Sequence, residues 1–197
     1  MTKIEKPTNA LIKKYINKFN NDKRYYPADM AIIKLFTLFP NNKELEDILL
    51  KTSVINDLYS TNIFATFKIA EHIQKLDIDQ RLKVGDPELV HEIATGHGIL
   101  TKNSKKEISF YSFATKYCNW HNQESYAIYD SFVEKILRAY QKQDKFSDFK
   151  LIDLRDFNKF KDVLNDFSDH YALNNSTLKE IDKFLWIYGK EIFPTKY

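Results

Sequence analysis

The chain has 197 residues, 43% of them hydrophobic and 15% aromatic, enough to bury a sizeable core in one domain or in two small lobes. Its formal net charge is +3 with a sequence pI of about 8.7, a mild basicity that suits a polyanionic partner without requiring one. The single cysteine, Cys118, excludes an intramolecular disulfide and a cysteine-based metal cage, and no apolar run reaches membrane-spanning length. The expectation is a cytoplasmic protein with no membrane partner.

Glycine is scarce, only Gly85, Gly96, Gly98 and Gly189, which argues against an all-β chain and against a Gly-rich nucleotide fingerprint. Helical periodicity recurs instead. Thr8 can cap a helix that turns Leu11, Ile12, Tyr15, Ile16 and Phe19 to one face. Pro27 suits a first helical turn, with Met30, Ile33, Leu35 and Phe36 following up to Pro40. Asn42 can cap the next helix, with Leu45, Ile48 and Leu49 inward. Residues 54–76 read as one long helix or as two joined near Ser60. A short helix follows Asp77, and Pro87 opens another that runs to about Ala94.

TGHGILTKNSKK, residues 95–106, is the clearest loop, carrying Lys102, Lys105 and Lys106. After it the pattern predicts helices near 108–121, 130–142, 155–171 and 177–190, with Asp153 and Ser176 or Thr177 as caps. The fold class is therefore all-α, a multi-helix bundle of nine or ten helices. It reads as a single domain over 1–197, with 1–95 and 106–197 as candidate lobes joined by the 96–105 loop.

Chemistry concentrates in SFATKYCNWHNQESYAIYDSFV, residues 112–133. Lys116 has Phe113, Tyr117 and Trp120 within reach, Trp120 one helical turn on. A lysine attacks an electrophilic carbon as the free amine, and at its ordinary pKa of about 10.4 only roughly one in a thousand is neutral near pH 7.4. A nucleophilic lysine needs burial or neighbouring positive charge, whereas a surface lysine merely lays its stem on an aromatic face. Asp130 precedes SFVEKILRAYQ and suits an N-cap, although Ser131 with Glu134 would make a capping box one residue later. A carboxylate at a helix N-terminus is stabilised as the anion, a fixed negative charge that can steady a developing cation. His91, His97 and His121 match no metal-binding spacing, and the expectation is neither metal nor cofactor.

Basic charge gathers in two places. The segment up to Arg24 holds Lys3, Lys6, Lys13, Lys14, Lys18, Lys23 and Arg24 against Glu5 and Asp22. The loop lysines 102, 105 and 106 precede the Lys116 helix. Either set could neutralise phosphates, or simply form a solvated surface.

The order of these features resembles the helix–hairpin–helix DNA glycosylase superfamily, in particular its 8-oxoguanine DNA glycosylase branch. Ser112-Phe113-Ala114 stands at the hairpin, Ala114-Thr115-Lys116 matches the hairpin's end and the catalytic lysine, and Ala127-Ile128-Tyr129-Asp130 matches the segment ending in the catalytic aspartate. Upstream, Asp57-Leu58-Tyr59-Ser60-Thr61-Asn62-Ile63 resembles the start of the long helix lining that family's DNA cleft. The resemblance implies a helix–hairpin–helix element near 108–130 and a base-excision activity on DNA. Lys116 would form a Schiff base at the sugar with help from Asp130. Asn62, Tyr117, Trp120 and His121 would contact the flipped base, while Lys102, Lys105, Lys106, Ser112 and Thr115 would meet the nucleic-acid backbone. The alternative is a non-catalytic all-α protein that binds nucleic acid or another protein.

Overall fold

A computed structural model describes residues 4–194; Lys3, one of the N-terminal basic residues, lies outside them. The described residues form ten α-helices and one 3₁₀ turn, with no strand beyond a single antiparallel bridge between Leu100 and Glu107. The all-α, multi-helix expectation holds. None of the helices is long and apolar enough to cross a membrane, among the described residues.

The chain divides into two compact units. One comprises the chain up to Tyr26 and again from Tyr129; the other is Pro27–Ile128, and the 96–105 loop lies inside it.

The first unit holds α1 (Asn9–Asn20), α8 (Ser131–Asp144), the 3₁₀ turn (Asp153–Arg155), α9 (Phe157–His170) and α10 (Leu178–Ile192). Thr8 caps α1 as its sequence predicts, its hydroxyl accepting from the Leu11 N–H at 3.1 Å. Thr177 and Glu180 close a reciprocal capping box on α10. Asp130, not Ser131, caps α8, accepting from the Phe132 N–H at 2.9 Å. Asp153 opens the 3₁₀ turn, and the cap of α9 falls to Asp156. The core between α1, α8 and α10 is aromatic: Tyr15 meets Tyr188 edge-on at 5.0 Å, and Tyr140 donates to the Glu5 carbonyl at 2.8 Å. Gly189 lets α10 approach the first turn of α8, because a Cβ there would lie 2.6 Å from the Phe132 carbonyl oxygen.

The boundary between the units falls in the first turn of α2 (Tyr25–Leu38). The second unit then contains α3 (Leu45–Tyr59), α4 (Thr66–Leu76), α5 (Asp79–Val84), α6 (Glu88–Ala94) and α7 (Tyr111–His121). Packing joins α3 to α4 and α7, α6 to α4 and α7, and α5 to α7. On α2 it is Asp29, Ile32 and Phe36 that are buried, while Met30 and Ile33 face solvent. The break near Ser60 is real: Ser60 takes a left-handed conformation with φ 50° and ends α3.

Between α6 and α7 the chain makes a hairpin. Thr101 N–H donates to the Lys106 carbonyl at 2.8 Å and Ile108 N–H to the Ile99 carbonyl at 2.9 Å. His97, buried at its base, accepts from the Ile99 N–H at 3.1 Å, and the Glu107 carboxylate accepts from the Gly98 N–H at 2.8 Å. This corrects the expected hairpin position. Residues 112–114 lie inside the first turn of α7, and the lysine-bearing hairpin at 99–108 precedes them.

Candidate active site

Helix α7 carries the candidate residues, and two polar networks fix it. The first is at Lys116. Its side chain is 1% exposed, and its amine donates to the Ser112 hydroxyl at 2.7 Å and to the Ser112 carbonyl at 3.3 Å, one turn back along the same helix. The amine also sits 5.3 Å from the centre of the Tyr59 ring. Tyr59, the last residue of α3, accepts a hydrogen bond from the Trp120 indole N–H at 3.0 Å. Lys116 and Trp120, four residues apart on one face of α7, therefore both hold the end of α3.

The second network centres on Lys51, which the helical pattern alone does not single out as functional. Lys51, on α3, is fully buried, and its amine donates to the carbonyls of Phe39 at 3.1 Å and Asn41 at 2.7 Å and to the Asn42 side-chain oxygen at 2.8 Å. Those three acceptors match the three protons of an ammonium. The Asn42 oxygen also accepts from the Tyr117 hydroxyl at 2.5 Å, while the Asn42 NH₂ donates to Asp79 at 2.7 Å and faces His121 Nε2 at 3.3 Å. With its NH₂ turned to Nε2, Asn42 sets Nε2 as acceptor and places the imidazole proton on Nδ1. Asn42 was expected to cap α3; instead its backbone N–H and its amide are bound to Asp79, and Glu44 stands at the cap position.

Burial dominates the charge states here. It pushes Lys51 down to about 8, against the opposing pull of Asp79 and Asp47. Burial, together with the nearby Lys51 charge, pushes His121 down to about 3, so this imidazole is neutral at physiological pH. Burial raises the Tyr117 hydroxyl well above its ordinary value and pushes the Cys118 thiol up, leaving that thiol unreactive.

Thr115, Tyr117 and Trp120, all expected at a binding surface, are buried instead, and His121 is half-buried. Tyr117 is fully buried, its ring against Phe36 and Phe113, so no base can stack on it. Thr115 is fully buried and donates to the Ser112 carbonyl at 3.0 Å, which removes it from any phosphate contact in this conformation. His121 is committed to Asn42 and packs on Phe36 at 4.7 Å. Trp120 is buried, and Ser112, at the start of α7, is half-buried. Lys102, Lys105 and Lys106 are exposed on the hairpin, and Asn62 is exposed on the α3–α4 loop with φ 58°. Asp130 belongs to the first unit, as the cap of α8.

The turn after α7 is pinned by its own side chains. Asn119 NH₂ donates to the Tyr126 carbonyl at 2.5 Å, Asn122 NH₂ to the Leu82 carbonyl at 3.0 Å, and the Tyr126 hydroxyl to the Asp86 carbonyl at 2.9 Å. No group of three or more His, Cys, Asp or Glu side chains that could hold a metal ion is found among the described residues.

A family profile described as HI_0787_N, an N-terminal domain, matches residues 11–125, more than half of the chain. The chain belongs to the HI_0787_N family. The HI_0787_N match contains Lys116, both polar networks and the lysine hairpin, and it stops short of Asp130. A Haemophilus influenzae protein described as uncharacterized is 48% identical over 151 residues, covering 76% of this chain and 70% of that one. No solved structure matches the chain.

Proposed function

We propose that this HI_0787_N protein is a lysine-dependent DNA glycosylase with AP lyase activity, Lys116 being the nucleophile. The observation that carries the reading is the burial of the Lys116 amine beside the Ser112 hydroxyl and over the Tyr59 ring. An ammonium loses more than an amine on leaving water, so a buried site is where a nucleophilic lysine belongs.

The neutral amine attacks C1′ of a damaged nucleotide. The C1′–N bond to the base breaks, and the base leaves with the electron pair and picks up a proton. Opening of the sugar ring gives a Schiff base between Nζ and C1′. The imine acidifies the C2′ hydrogen, and β-elimination breaks the C3′–O bond, nicking the strand. Hydrolysis of the imine then returns the amine. Ser112, hydrogen-bonded to the amine, orients it. Lys102, Lys105 and Lys106 neutralise phosphates, which makes binding salt-dependent.

Nicking of an end-labelled duplex with one abasic site, in the presence of a chelator, tests this reading. Strand cleavage that disappears in Lys116→Ala supports it. The competing reading, a non-catalytic nucleic-acid-binding protein, draws on the return of the Lys116 amine to its own helix at Ser112. Salt-sensitive binding of the same duplex with no cleavage is its outcome.

A further inference from the structure

The α3–α4 loop displays one feature that the reaction above does not use. Phe64 is 99% exposed, the most exposed of the large hydrophobic residues described. Its neighbours are fixed. Asn56 grips the loop from α3: its side-chain oxygen accepts from the Thr61 hydroxyl and from the Ile63 N–H, each at 2.8 Å, and its NH₂ donates to the Ile63 carbonyl at 3.0 Å. Ser60 and Asn62 both take left-handed conformations, with φ 50° and 58°, to make the turn. Ile63 is buried at 3% exposure, immediately before the ring that stands in solvent. The loop is thus anchored immediately before a residue that contributes nothing to the core.

The surroundings select the partner. Phe67, 52% exposed, follows three residues later, and Lys68 is exposed beside it. Lys68 is the single charged residue between Ser60 and Ala70. Helix α4 also reaches the base of the lysine hairpin, where His72 and His97 lie 6.0 Å apart between ring centres. Two exposed rings three residues apart, with Ala65 and Thr66 between them and Lys68 adjoining, set aromatic faces beside a cation. They suit a strand that alternates flat apolar bases with anionic phosphates.

We infer that Phe64 is a stacking residue for an unpaired nucleobase, with Lys68 on the adjoining phosphate. The inference rests on the reading of the chain as a protein that acts on nucleic acid, and it assigns the partner's contact surface on the second unit.

Fluorescence anisotropy of the full chain with a labelled single-stranded oligonucleotide and with the matching duplex tests it. Phe64→Ala weakens single-strand binding at least about 5-fold, Phe64→Trp restores it, and the salt dependence is unchanged in both. Lys68→Gln lowers the salt slope by about 0.7. Because the ring is outside the core, Phe64→Ala leaves the urea midpoint where it was. Single-strand binding by Phe64→Ala equal to that of the parent overturns the inference. So does concentration-dependent self-association, seen by sedimentation, that Phe64→Ala abolishes, since the patch would then belong to a second copy. The assay needs no catalysis. Phe64-dependent binding without abasic-site nicking retains this inference and discards the glycosylase; nicking with Phe64-independent binding does the reverse.

Discussion

The Lys116 amine lies 2.7 Å from the Ser112 hydroxyl, one helical turn earlier on α7. That contact gives a buried amine a local hydrogen-bond partner, and it fixes the direction in which the amine points. Ser112→Ala removes it. Stability falls by about 1 kcal/mol, and abasic-site nicking slows about 5-fold as the amine loses its orientation. Ser112→Thr retains the hydroxyl and most of both. Urea titration and single-turnover cleavage read the two effects separately.

Lys51 makes the sharper stability prediction. Lys51→Met leaves the Phe39 and Asn41 carbonyls and the Asn42 oxygen without the amine that now satisfies them. A loss of about 3 kcal/mol is expected, seen as a lower urea midpoint at constant m-value. The sign with pH is opposite to that of a salt-bridged lysine. Its folded value, about 8, lies below the unfolded value of about 10.4, so the unfolded state holds more protons between the two. The Lys51 contribution therefore makes stability rise from pH 8 towards pH 10, and Lys51→Met abolishes that rise.

His121 acts in the acid range. With a folded value of about 3 against about 6.5 unfolded, it favours folding fully above pH 6.5, and this support is lost as pH falls towards 3. Between pH 6 and pH 5 the slope approaches about 1.4 kcal/mol per pH unit for this one group. His121→Gln keeps an acceptor for Asn42 and removes the slope. Equilibrium unfolding at several pH values, compared between the two proteins, isolates the difference.

Two substitutions test the packing. The buried Thr52 hydroxyl has no hydrogen-bond partner. Thr52→Val removes that unsatisfied group at constant shape and raises stability by about 1 kcal/mol. Gly189→Ala brings a methyl group to within 2.6 Å of the Phe132 carbonyl oxygen. Despite alanine's better helix propensity, a net loss of about 2 kcal/mol is expected, because backbone has to move. Thermal unfolding measures both.

Local signals in the sequence were read well where the physics is local. Thr8, Thr177 and Asp130 each cap the helix their spacing marks, and Ser60 divides the long 54–76 segment. The failures lie where a distant residue competes for the same group. Asn42 has the chemistry of a cap, but Asp79, 37 residues on, takes its N–H. Met30 and Ile33 satisfy helical spacing on α2, yet packing selects the Ile32–Phe36 face. The hairpin at 99–108 has no two-residue glycine turn to mark it, and its register depends on His97 and Glu107. Lys51 did leave a trace: with Ile48, Thr52 and Ile55 it stands at a core position of α3, a charge where the pattern calls for an apolar side chain.

Borohydride trapping tests the central claim most directly. The full chain is incubated with an abasic-site duplex and borohydride, and the adduct is mapped by peptide mass spectrometry. The proposed mechanism predicts one covalent adduct, on Lys116, absent from Lys116→Ala and retained at reduced yield when Lys102, Lys105 and Lys106 are changed to glutamine. No adduct, or an adduct on Lys51 or on a hairpin lysine with Lys116 unmodified, would contradict it.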